Sequence, residues 1–83
     1  MKYFLLNAVQ RDGEHETYEQ VILRAPDYDT AKANGQTICE RQFTYGDGLT
    51  AIYFKYANQI PAAHAKILDK YNAAQIVELS TKK

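Results

Sequence analysis

Two histidines, one cysteine and ten carboxylate side chains are the groups in this 83-residue chain that could carry chemistry. A zinc site needs about three or four Cys, His or carboxylate ligands at suitable spacing. No such cluster surrounds His15, which falls in a hairpin, or His64, which falls on the apolar side of a helix and reads as a histidine at the edge of the core. Cys39 would need a neighbouring base and a positive environment to act as a nucleophile. Its place in the middle of a buried helical stripe fits an inert thiol better.

Three other patterns fail for specific reasons. A calcium loop opening at Asp27-Tyr28-Asp29 would need glycine where Lys32 stands and glutamate where Ile38 stands. Gly46-Asp47-Gly48 lacks the lysine and the strand-before-helix setting of a phosphate-cradling loop. Glu14, Glu16 and Glu19 gather on a hairpin, and paired carboxylates do acid–base work only in a cleft that shifts their pKa values. The expectation is therefore of no catalytic residue, no cofactor and no metal, and of a protein that is not an enzyme.

The elements that position these groups can be read from periodicity and punctuation. Residues 2–10 form a β-rich run ending at Arg11-Asp12-Gly13-Glu14, where Asp-Gly suits the centre of a tight hairpin turn. The return strand runs from Glu16 to Ala25 and ends at Pro26, which has no N–H for a ladder. The pattern then shifts to a helical period. Tyr28, Ala31, Gly35, Ile38, Cys39, Gln42 and Phe43 share one side, behind an Asp27 N-cap. Gly35 in that stripe predicts a close approach of helix to sheet. A turn at Tyr45-Gly46-Asp47-Gly48 leads to a third strand from Leu49 to Asn58. Pro61 opens a short helix bearing His64, Ile67, Leu68 and Tyr71 on one side, and Gln75 to Ser80 make a fourth strand.

The order β-β-α-β-α-β predicts a single α+β domain over residues 1–83. Its four-stranded sheet is mostly antiparallel or mixed, with the first strand central and both helices packed on one face. A chain this short buries only about 60–65% of its unfolded surface, so self-association would add stability that the core alone supplies with difficulty.

Composition narrows the function classes. Ten basic and ten acidic residues cancel, which argues against a duplex nucleic-acid binder. No run approaches the roughly 20 apolar residues of a membrane span, and the short N-terminal apolar run reads as a strand rather than a signal peptide. A lone cysteine favours a reducing compartment, hence a cytoplasmic protein.

The sheet itself carries the one functional signal. Strand alternation puts Phe4, Leu6, Ala8, Val21, Leu23, Ile52, Phe54 and Tyr56 on the side assigned to the helices. It leaves Tyr3, Leu5, Val9, Tyr18, Ile22 and Tyr53 facing away, with on the order of 500 Å² of apolar surface, the upper end of what monomers leave exposed. Those six residues are the expected interface of a homodimer or of a complex with a protein partner. A single-stranded nucleic-acid binder stacking bases on the tyrosines is a second reading, disfavoured by the acidic N-terminal third. A small enzyme with its site at a subunit junction is a third. In size, charge balance and compact α+β pattern the chain is also similar to small accessory proteins of phages and mobile elements, including anti-CRISPR inhibitors of host proteins. That similarity is one of bulk properties and transfers no site residue.

Overall fold

The computed structural model describes residues 1–43 and 50–79. In chain order the elements are β1 (Lys2–Asp12), β2 (His15–Ala25), α1 (Tyr28–Phe43), β3 (Thr50–Ile60), α2 (Ala62–Lys70) and β4 (Ile76–Glu78). They form a four-stranded mixed sheet in the order β3-β1-β2-β4. β1 is antiparallel to both β2 and β3, and β4 runs parallel to β2. The α+β class, the element order and the central place of β1 are as the sequence predicts. The predicted turn at Tyr45-Gly46-Asp47-Gly48, Leu49 and the end of the fourth strand at Ser80 lie outside the described residues.

The β1–β2 hairpin is continuous from Lys2 opposite Ala25 to Asp12 opposite His15. Its turn is centred on Gly13-Glu14 rather than on Asp12-Gly13. Only Gly13 takes a positive φ, of 64°. That is the type II′ pattern, which wants glycine at the first central position.

Helix α1 is started by Asp27, whose Oδ1 accepts the Thr30 backbone N–H at 2.8 Å. Hydrogen bonding from the Thr30 side chain, then from its backbone, holds the Asp27 carboxyl below the usual carboxylate range. The helix buries Ala31, Gly35, Ile38 and Cys39 against Phe4, Leu6, Ala8, Val21, Leu23, Ala25 and Ile52. Gly35 is there for the reason its place in the stripe suggests. A Cβ on it would stand 2.6 Å from the Phe54 ring.

Helix α2 lies on the other face, which corrects the expectation that both helices share one side. Its Ala65, with Leu68 and with Ala74 beyond the helix, packs on Ile22, Tyr3, Leu5, Ile60 and Ile76. The reason is topological. β2, β3 and β4 are mutually parallel, so each helix makes a crossover between parallel strands. The β2–α1–β3 crossover moves one way across the sheet and β3–α2–β4 moves back. Two crossovers of the same hand that travel in opposite directions must lie on opposite faces. Of the predicted buried side of α2 only Leu68 packs inward. His64, Ile67 and Tyr71 are exposed, and the small Ala65 lets the helix sit close to Ile22.

The short β4 is held by several polar ties. Ile22 N–H donates to Gln75 O at 2.8 Å, Ile76 N–H donates to Asp69 Oδ1 at 3.2 Å, and Arg41 Nη2 donates to Glu78 O at 3.2 Å. The loop before it ends α2 with Asn72 at φ 61°, and the Ala73 N–H reaches back to Leu68 O at 2.8 Å. Asn is among the few residues that accept this left-handed cap.

Candidate functional site

The face shared by Tyr3, Leu5, Val9, Tyr18, Ile22 and Tyr53 divides into two halves. Toward the start of β1, α2 covers Tyr3, Leu5 and Ile22, and Ile22 is fully buried. Of the six predicted interface residues, Ile22 is therefore core and Tyr3 and Leu5 are partly buried beside it, because a second helix occupies the face expected to be bare. Toward the hairpin turn nothing among the described residues lies over the sheet. Tyr18, Val9 and Tyr53 fall there, and an open groove of about 1180 Å³ runs across them.

Register builds this groove from three cross-strand rows. In the middle row Val9 has Tyr18 opposite it on β2 and Tyr53 opposite it on β3. Val9 is 7% exposed while Tyr18 is 78% and Tyr53 48% exposed, so two aromatic rims flank an apolar floor. Cross-strand neighbours of this kind stand about 4.5–5.5 Å apart at Cβ, within contact range. On the side nearer α2 the row is Tyr56, Asn7 and Gln20. Gln20 Nε2 donates to Asn7 Oδ1 at 2.8 Å, and Asn7 Nδ2 donates to Leu5 O at 3.2 Å. Nearer the turn the row is Ala51, Arg11 and Glu16, with Arg11 ion-paired to Glu16 and its Nε donating to Glu16 Oε2 at 3.1 Å. The hydrogen bond to Glu16, and then its charge, raise the Arg11 pKa. So exposed a pair fixes geometry more than it adds stability.

Tyr56 is the groove residue that sequence reasoning missed. Simple alternation assigns it to the α1 side with Ile52 and Phe54. Between Asn7 and Ala8 the β1–β3 register shifts, with Asn7 opposite Tyr56 and Ala8 opposite Phe54, so that Lys55 is the extra residue of a bulge. The bulge turns Tyr56, 55% exposed, onto the Tyr53 side. A spacing of three between two strand tyrosines on one face is what such an insertion produces, and nothing in residues 53–56 announces it.

The sites expected to be chemically silent fall elsewhere. Cys39 is buried beneath the sheet, and burial pushes its thiol up to about 11. His15 sits beside the turn and His64 on the outer side of α2. Among the described residues no three His, Cys, Asp or Glu side chains are placed to hold a metal ion, and no helix is long and apolar enough to cross a membrane. No protein-family model, no curated protein and no solved structure matches the chain.

Proposed function

We propose that the protein is a binding and self-assembly module that works through the open half of its second sheet face, with a second copy of the chain as the occupant. The observation that carries this reading is the middle row. Val9 is nearly water-free between Tyr18 and Tyr53, while both tyrosines and Tyr56 keep roughly half or more of their surface in solvent. Tyrosine is favoured at protein interfaces because its ring is rigid and apolar and its hydroxyl finds partners at a wet rim. The charges in the groove also suit a copy of itself. Arg11 and Glu16 neutralise one another, and Glu19 and Lys55 are of opposite sign, so a two-fold arrangement meets no uniform field.

The same balance weighs against stacked single-stranded nucleic acid, which needs a basic track beside its aromatic platforms. The groove lining contains neither histidine nor the cysteine, and its carboxylates Glu16 and Glu19 lie on an open surface, Glu16 paired with Arg11, rather than in a closed cleft. An unpaired, buried Cys39 supports a reducing, cytoplasmic setting.

Sedimentation of the native chain and of Tyr53→Glu tests the proposal. The native protein is expected to show concentration-dependent mass, and Tyr53→Glu to lose it while keeping a native circular dichroism spectrum. An unchanged association state in a folded Tyr53→Glu protein places the contact elsewhere.

A further inference from the structure

The groove borders a bare strand edge. β4 pairs with β2 only from Ile22 to Arg24, and among the described residues no strand meets the outer edge of β2 before Ile22. Ile22 points its N–H outward, to Gln75 O at 2.8 Å. The β1–β2 register has no break, so outward backbone groups recur at every second residue and belong to Gln20, Tyr18 and Glu16. The opposite margin of the sheet is treated differently. There the Gln36 side-chain amide donates to Ile52 O at 2.8 Å and accepts the Phe54 N–H at 2.9 Å, taking the place that a neighbouring strand's peptide group would fill. An uncapped edge of unpaired N–H and C=O groups is a template for another strand.

Resting on the reading above, we propose that self-association includes, beside the face contact, a second contact through this edge, β2 against β2 in antiparallel register about a two-fold axis at Tyr18. Tyr18 then faces its own copy, Glu16 faces Gln20, and Thr17 faces Glu19. Every outward backbone group meets another outward group, and no like charges stand directly opposed. Neighbouring registers are worse. An axis at Glu19 opposes two carboxylates and sets Glu16 against Ile22, whose N–H Gln75 already holds. An axis at Thr17 runs Gln20 against Glu14 in the turn. The Tyr18 register also carries the acidic turn of the second copy, with Asp12 and Glu14, toward the α2–β4 connection, which Lys70 precedes in the last turn of α2. The side chains of Glu16, Tyr18 and Gln20 lie on the open face, so the two grooves merge into one surface across the axis.

Amide hydrogen exchange on the native chain, read residue by residue by NMR at low and high protein concentration, tests the register. Thr17 and Glu19 N–H groups point into the hairpin and should be protected at both concentrations. Those of Glu16, Tyr18 and Gln20 should gain at least tenfold protection at high concentration. A Gln20→Pro variant removes one outward N–H at an edge position, where a strand tolerates proline, and leaves every tyrosine in place. Its apparent mass should halve while its spectrum stays native. Fast exchange at Tyr18 and Gln20 at all concentrations, or a native chain that stays monomeric, overturns the strand pairing. A folded Gln20→Pro protein that keeps the native association while Tyr53→Glu dissociates also overturns it, yet leaves the tyrosine face standing.

Discussion

The two faces of the sheet are covered by helices of unequal length, and the difference explains where this protein has surface to offer. α1 has 16 residues and α2 has nine. At about 1.5 Å per residue α1 spans roughly 24 Å and α2 roughly 13 Å, against the roughly 36 Å of an eleven-residue strand. α1 therefore shields most of its face and builds the main core around Phe4, Leu6 and Leu23. α2 shields only the end holding Tyr3, Leu5 and Ile22. Beyond it the sheet changes character, from an aliphatic floor under a helix to Val9 between tyrosines, with hydrogen-bonded amides on one side and an ion pair on the other. These polar rows satisfy groups that water would otherwise have to reach, and the aromatic row keeps apolar area available.

The largest effect that tests this contrast comes from truncating one residue under each kind of cover. Leu6→Ala should cost about 3 kcal/mol in urea unfolding, since nothing can collapse into the space beneath α1. Val9→Ala should cost only about 1 kcal/mol, because rings at an open surface can close over the gap. Equal losses would mean that the hairpin half is as firmly packed as the α1 face.

The tightness of the α1 face can be probed at Gly35. Alanine there gains about 1 kcal/mol of helix propensity but meets the Phe54 ring, and overpacking of this kind costs about 1–3 kcal/mol. A net loss of stability on thermal unfolding is expected, relieved when Phe54→Leu is added. A stabilised Gly35→Ala protein would show that the helix has room to retreat.

Cys39 reports on the same core through pH. Its folded thiol, raised to about 11 by desolvation first and then by the Glu40 charge, binds a proton that the unfolded thiol releases near 9. The resulting stability is complete below pH 9 and is lost as pH rises from 9 to 11. Urea midpoints should fall across that window in the native chain and less so in Cys39→Ala, and a thiol reagent should label Cys39 at the rate of unfolding.

On the open half the expected effects on folding are smaller. Tyr53→Glu and Tyr18→Glu should each change the stability of the dilute protein by no more than about 0.5 kcal/mol, while association is lost. At Asp27 the effect depends on pH. Its lowered pKa means that the cap contributes above the ordinary carboxylate range and is lost as pH falls through the folded value. Asp27→Ala should therefore lower stability across the neutral region and flatten the acid limb, with the two proteins converging as pH falls through the folded value.

Much of this fold was legible before any coordinates. The hairpin was marked by Gly13 and Pro26, α1 by Asp27 and the stripe from Ala31 to Cys39, and the short second helix by Pro61, because each depends on the chemistry of a few consecutive residues. The chain's own pattern also determined which side of β1 and β2 joins Phe4 and which joins Tyr3. Three things were decided only in the tertiary structure. The face taken by α2 follows from the direction in which its crossover returns across the sheet, and so from the spatial order of strands distant in sequence. The position of Tyr56 follows from a bulge that exists only in the pairing of β3 with β1. The bare edge of β2 follows from how little of it β4 reaches. Local patterns fix what a segment is, because propensity, capping and alternation act over a few residues; where that segment lies, and what it leaves uncovered, is set by contacts between segments that no single stretch of sequence contains.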